Sequence, residues 1–206
     1  LALQCLKAGR GIVSEKPLAI TTAECDAMIA ASVRSKSLLS TYHNRHWDGC
    51  ILEALQHIRA GEIGQVFRIQ AHMGGYGLPG DWWRTSKSIS GGILYDWGVH
   101  LLEYSLQILG PAKLTEVSGF AHRGFWADQT KWKADTNEDE GFTVARFNTG
   151  AWVSLRITNL DSSPPPYWLE ITGTKGAYKF DGRTYELTQV RNGKTIVTKG
   201  SNPPSQ

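Results

Sequence analysis

WLEITGTKGAYKFDGRTYELTQVRNGKTIVTKG, residues 168–200, decides the fold class. Short β-prone runs at Tyr167–Thr172, Ala177–Phe180, Thr184–Val190 and Thr195–Thr198 are separated by Lys175-Gly176, Asp181-Gly182 and Asn192-Gly193. Each dipeptide brings a residue that tolerates the positive φ of a tight hairpin turn, so the runs read as consecutive hairpins. Working back along the chain, Leu114–Ala121, Phe142–Phe147 and Ala151–Thr158 add strands, the last two joined by Asn148-Thr149-Gly150. Val66–His72 is a further strand, and hairpins in succession imply a mostly antiparallel sheet.

Two helical patterns must cover that sheet. Ile51, Leu52, Leu55 and Ile58 recur at helical spacing between Asp48 and Ala60, and GGILYDWGVHLLEYSLQIL reads as one helix over 92–109, stopped by Gly110-Pro111. The predicted class is α+β: an open, mostly antiparallel sheet covered on one face by helices, with the other face left for a second subunit. A long aromatic, glycine-rich loop is expected from Gly74 to Ser90.

Residues 1–42 spell a different pattern. A helix end at LALQCLKAG, a strand in GIVSEK, a helix over Thr22–Ser35 opened by the capping-box spacing of Thr21 and Glu24, and a strand at Leu38–Tyr42 are the marks of a parallel α/β sheet. One crossover unit and a half is too little for a doubly wound domain, so 1–42 reads as the remnant of a Rossmann α/β domain and 43–206 as a second, substrate-binding and oligomerisation domain. Leu1 in place of Met, and a chain opening on the last turns of a helix, lead to the expectation that an upstream segment has been removed.

Composition narrows the function classes. The 206 residues are 41% hydrophobic and 20% charged, the balance of an ordinary globular chain, and no apolar run is long enough to cross a bilayer, so no membrane partner is expected. A net charge of +3, with Lys and Arg scattered among acids, argues against nucleic acid. Cys5, Cys25 and Cys50 have neither disulfide-framework nor metal-ligand spacing, so no metal is expected and the compartment reads as cytoplasmic, although an export signal upstream of Leu1 would be invisible.

Three clusters could carry chemistry. Glu15-Lys16-Pro17 stands at the carboxyl end of a parallel strand, where open α/β sheets bind ligands; the ordinary alternative is a surface lysine before a turn proline. Asp96 and His100, at i and i+4 of the expected helix, would form a carboxylate–imidazole proton-transfer pair; a solvated helical ion pair is the plain alternative, and a metal-dependent lyase a remoter one. Trp82, Trp83 and Arg84, together with the stretch His43–Trp47 that includes Arg45, offer aromatic faces and hydrogen-bond donors suited to polyhydroxylated rings, unless the indoles are core.

Taken in order, LKAGRGIVSEKPLAITTAE, YHNRHWDGCILEALQHIRAGEIGQV, DWWR with SGGILYDWGVHLLEYSLQILG, and WLEITGTKGAYKFDG resemble the glucose-fructose oxidoreductase, inositol dehydrogenase and rhizopine-catabolism family of NAD(P)-dependent oxidoreductases. The resemblance implies hydride transfer between NAD or NADP and a hydroxyl or keto carbon of a sugar or cyclitol, and a homo-oligomer formed through the open sheet face. It puts the catalytic lysine on Lys16, the substrate-orienting aspartate on Asp96 and the general acid/base on His100. Glu15, Lys16 and Pro17 would meet the nicotinamide end of the cofactor, while Arg45, Trp83, Arg84, Asp96 and His100 would meet substrate. The sequence departs from the family in lacking the GxGxxG turn, so the cofactor site is incomplete here and this chain alone is expected to be inactive. A non-catalytic oligomerisation or carbohydrate-binding domain is the alternative.

Overall fold

The computed structural model describes residues 1–205, which form two compact units, one of residues 1–44 and a second from Arg45 onward. The first holds α1 (Ala2–Lys7), β1 (Ile12–Glu15), α2 (Thr22–Ser35) and β2 (Leu39–Tyr42), with β1 and β2 paired in parallel. The capping box forms as the sequence predicts: Thr21 accepts from the Glu24 N–H, and the Glu24 carboxylate accepts from the Thr21 N–H. Leu6, Met28 and Ala31 make its small core, with Ile12 and Leu39 packed against them.

In the second unit α3 (Gly49–Arg59) and β3 (Val66–Gly74) come first. The short α4 (Lys87–Ser90), α5 (Trp97–Leu109) and β4 (Leu114–His122) follow. The remaining strands are β5 (Glu140–Phe147), β6 (Trp152–Thr158), β7 (Leu169–Gly173), β8 (Gly176–Phe180), β9 (Thr184–Arg191) and β10 (Lys194–Ser201). Eight of these make one sheet in the order β10-β9-β8-β7-β3-β6-β5-β4. Hairpin signals account for the β5-β6 pair and the meander β7-β8-β9-β10, while β4 joins β5 through the longer segment 123–139; at the β9–β10 turn Asn192 and Gly193 sit at φ 52° and 72°. Inserted between the meanders, β3 runs antiparallel to β7 but parallel to β6.

Strand alternation sorts the two faces. Ile69, Ala71, Val153, Leu155, Ile157, Leu169, Ile171, Tyr178 and Phe180 point to α3 and α5, joining Cys50, Ile51, Ala54, Leu55, Leu101 and Tyr104 in one core. Burying a side chain of this kind contributes about 1.5–3 kcal/mol, which makes this core the main source of stability.

Two expectations need correction. The helix does not span 92–109: Gly91 and Gly92 have φ of 92° and 136°, a single 3₁₀ turn covers Ile93–Tyr95, and Asp96 leaves helical geometry at φ −88°, ψ −86°. A Cβ on Gly92 would lie 2.9 Å from the Glu138 carboxylate, so close approach and positive φ together forbid a continuous helix there. Nor is 74–90 a plain loop, since it contains a 3₁₀ turn at Trp83–Thr85 and α4, capped by Ser86 accepting from the Ile89 N–H. The α+β class is as expected, with helices on one face of the sheet; at its edge every residue of β4 is exposed, and an apolar cavity of about 570 Å³ opens between α5 and the β4–β5 edge. No helix among the described residues is long and apolar enough to cross a membrane.

Candidate active site

Because β3 and β6 run parallel, their carboxyl ends emerge side by side, and a pocket of about 400 Å³ lies there. That volume suits a small molecule. The approach of the two strand ends is tight: a Cβ on Gly74, at φ 134°, would come within 1.9 Å of the Thr158 carbonyl oxygen. Only glycine lets the chain leave β3 here and turn into the Trp82–Arg84 segment.

One wall is the Arg84–Asp96 pair, with Arg84 Nε 3.3 Å from Asp96 Oδ1 and both side chains about two-thirds covered. The Arg84 guanidinium carbon lies 4.8 Å and 4.6 Å from the ring centroids of Trp82 and Trp83. Planar contact with two rings and a carboxylate fixes the arginine in a way a lysine could not reproduce. The indoles themselves are roughly half exposed, Trp82 at 51% and Trp83 at 43%, and so do not belong to the core.

Thr136, Asn137 and Glu138 also line the pocket, and with Asp139 they form a wholly buried run that the sequence did not single out. Asn137 donates through its amide to the Arg84 carbonyl oxygen and to Ser90 Oγ, while its backbone N–H donates to the Thr85 carbonyl oxygen. Asp139 accepts from the N–H groups of Phe125 and Trp126 at 2.8 and 3.1 Å. Trp132 Nε1 donates to the Trp82 carbonyl oxygen. These ties pin the aromatic segment to residues 125–139, so this part of the pocket lining is preformed. A polar run before a strand reads as a loop in sequence, and only its tertiary partners reveal that it is buried.

Glu138 lines this pocket and a neighbouring one of about 310 Å³. Burial works against its charge, but bonds from the Lys87 ammonium, its own and the Ile93 backbone N–H, and the Arg123 guanidinium hold the carboxyl down at about 2. It is therefore an anion at any physiological pH.

The structure brings some of the sequence-predicted residues together and separates others. Arg84 and Asp96 share the pocket lining, with Trp82 and Trp97. Asp96 is the N-cap of α5 and not a residue inside the helix, and His100 lies in its first turns, 4% exposed, with its ring edge-on to Trp97 at 5.7 Å. Neither His100, Arg45 nor Trp83 is among the residues lining the pocket. Arg45 is engaged with Asp48 at 2.8 Å and lies over Trp97. In the first unit, Glu15 ends β1 and the Lys16–Pro17 bond is cis. Cys50 is buried, and burial beside Asp48 pushes its thiol up to about 11, which removes it from the list of nucleophiles.

Comparison with known proteins gives a consistent result. The family described as GFO/IDH/MocA C-terminal domain matches residues 51–179. The scyllo-inositol 2-dehydrogenase (NADP(+)) of Bacillus subtilis is 30% identical over 122 residues, covering 59% of this chain and 34% of that protein. Myo-inositol 2-dehydrogenase of Thermotoga maritima is 31% identical over 183 residues, covering 85% of this chain and 51% of that protein. Among solved structures, an NAD-binding protein from Listeria innocua superposes with a TM-score of 0.81 at 25% identity, covering all of this chain and 60% of that one. The chain thus spans about a third to three-fifths of the length of these relatives.

Proposed function

The chain belongs to the GFO/IDH/MocA family of NAD(P)-dependent oxidoreductases, and from that premise we propose that it serves hydride transfer between NAD or NADP and a hydroxyl or keto carbon of a sugar or cyclitol. The observation that carries this reading is the 400 Å³ pocket at the paired ends of β3 and β6, where the Trp82 face and the Arg84–Asp96 pair lie together. A polyol ring presents C–H faces that stack on an indole and hydroxyls that need fixed partners. The inositol dehydrogenases among its relatives support the same substrate class.

For the cofactor, the candidates in this chain are Glu15, Lys16 and Pro17 at the carboxyl end of parallel β1; no glycine-rich strand-to-helix turn occurs in the sequence, so they fit the nicotinamide end alone. When bound, the nicotinamide gives or takes the hydride. In this reading His100 takes up or returns the hydroxyl proton, a step for which an imidazole can serve as acid or base. Asp96, steadied by Arg84, holds a neighbouring substrate hydroxyl. Lys16 keeps the role the resemblance implies, a hydrogen bond that favours negative charge on the reacting oxygen. Arg45 supports the Trp97 ring and Trp83 supports the Arg84 guanidinium, each at the edge of the substrate site.

The test uses the full-length polypeptide with each nicotinamide cofactor and a panel of polyols. Cofactor-linked turnover is expected, and His100→Asn or Lys16→Met should lower kcat by about 10²–10⁴-fold. Failure of the pure, folded protein to bind either cofactor ends the enzyme reading. Sugar binding that survives both replacements, without redox activity, would instead identify a non-catalytic carbohydrate-binding or oligomerisation domain. A homo-oligomer through the open sheet face and a reducing, cytoplasmic setting belong to the same proposal, the latter supported by three unpaired cysteines. Sedimentation equilibrium tests the former.

A further inference from the structure

Trp97 forms part of the pocket wall, and the contacts that hold it run away from the pocket into the core of the second unit. Asp48, 6% exposed, accepts from the Tyr104 hydroxyl at 2.7 Å and from the Arg45 guanidinium at 2.8 Å, both on the same carboxylate oxygen. Tyr104 is wholly buried, so this anchor is rigid. Held there, the Arg45 guanidinium carbon lies 4.3 Å from the Trp97 ring centroid and 5.9 Å from that of Trp168, whose own ring is 5.6 Å from Trp97. The far edge of Trp97 meets the His100 ring at 5.7 Å and 70°.

Sequence reading placed Arg45 on substrate, but its charge is already matched by Asp48 and its planar face by an indole. A guanidinium over an aromatic face is attracted to the ring, and its planarity fixes the ring's tilt as well as its distance. Resting on the oxidoreductase reading above, we propose that Arg45 is a positioning residue: Asp48 aims its guanidinium at Trp97, and the indole so held sets the orientation of His100 and one wall of the substrate pocket. Tyr104 and Asp48 are its foundation, one turn along α5 and at the N-cap of α3.

The experiment compares Arg45→Met, which keeps the apolar stem, with Arg45→Lys, which keeps the charge without the plane, in the full-length protein. Arg45→Met should lower kcat about 10- to 100-fold, the scale on which a displacement of about 1 Å acts, while KM for the polyol changes by less than about threefold. Arg45→Lys should recover part of the loss. A raised KM with kcat intact would make Arg45 a direct substrate contact, and unchanged constants would leave it no role; either overturns the proposal. If Arg45→Met does not fold, Trp97→Phe carries the same test, because the smaller ring cannot span from Arg45 to His100.

A second readout does not depend on turnover. The His100 ring C–H resonances should move in Arg45→Met, while those of His122, on exposed β4, stay in place. An unmoved His100 signal in a folded variant sinks the positioning role whatever the activity. Wild-type protein lacking any cofactor-linked turnover would sink the oxidoreductase reading and leave the resonance comparison to decide the contact.

Discussion

The helix-covered face and the open face of the eight-stranded sheet are made by the same strands, residue by residue in alternation, yet different forces hold them. On β6, Leu155 is 7% exposed beneath the helices, while the next residue, Arg156, turns the other way and reaches Asp161 at 2.7 Å. On β7, Ile171 is fully buried, and neighbouring Glu170 stands 3.6 Å from Lys179 across the strand pair. One face is stabilised by area removed from water, the other by partly solvated charges worth far less apiece. Two places cross this division. At the pocket edge, charge is brought into the covered side through Glu138; on the open face, His72 is buried at 8% beside the cavity roofed by Pro165–Tyr167.

The contrast is broken most directly on β7. Ile171→Ala should cost about 2–5 kcal/mol, read as a lower urea midpoint at unchanged slope, whereas Glu170→Ala beside it should cost less than about 1 kcal/mol. Equal losses at the two positions would mean that the open face is packed as firmly as the covered one.

Next in size is acid stability at the pocket. The Glu138 carboxyl is lowered from its usual range to about 2, so the fold gains from its ionisation above the unfolded value and loses that gain as pH falls toward about 2. With Lys87 and Arg123 partly exposed, solvent screening discounts the shift to about 1–3 kcal/mol between pH 5 and 2. Thermal melts of Glu138→Gln should show a flatter acid limb and lower stability at neutral pH, because two cations lose their partner.

His72 should give a smaller limb at higher pH. Burial first, then Arg156, lower its pKa, with Asp161 opposing. Its Nε2 is 3.3 Å from Asp161 Oδ2 but at an angle that makes no hydrogen bond. The unfolded chain therefore takes up a proton near pH 6.5 before the folded one does, and stability falls as pH drops through that range. His72→Asn should remove this step, and persistence of the step would assign it to another histidine. Smallest of all, Glu116→Gln, which breaks the exposed pair with Arg146 on β4–β5, should shift stability by no more than about 0.5 kcal/mol.

What was legible in the sequence was what neighbours decide. The Thr21–Glu24 cap and the Asn192-Gly193 turn each contain their own cause within a few residues, and both formed as read. The parallel pairing of β3 with β6 joins residues more than eighty positions apart, and no local pattern encodes it. The start of α5 is not legible because apolar spacing continues through Ile93 and Leu94, while the break lies in the positive φ of Gly91 and Gly92, where the Glu138 carboxylate leaves no room for a side chain on Gly92. Arg84 and Asp96 stand out in the sequence as chemistry and share the pocket, but the spacing gives no sign that they pair with each other, because the contact joins separate segments. Thr136–Asp139 went unnoticed because polarity was the expected property of a connecting segment.

The β9–β10 hairpin lies at the far side of the sheet, with β8 and β7 between it and the strand ends that frame the pocket. Its tip at Asn192-Gly193 is exposed and closed by its own backbone bonds. A peptide tag, fluorophore or surface tether spliced in there would report on the molecule, or immobilise it, without reaching Gly74, Asp96 or Trp97.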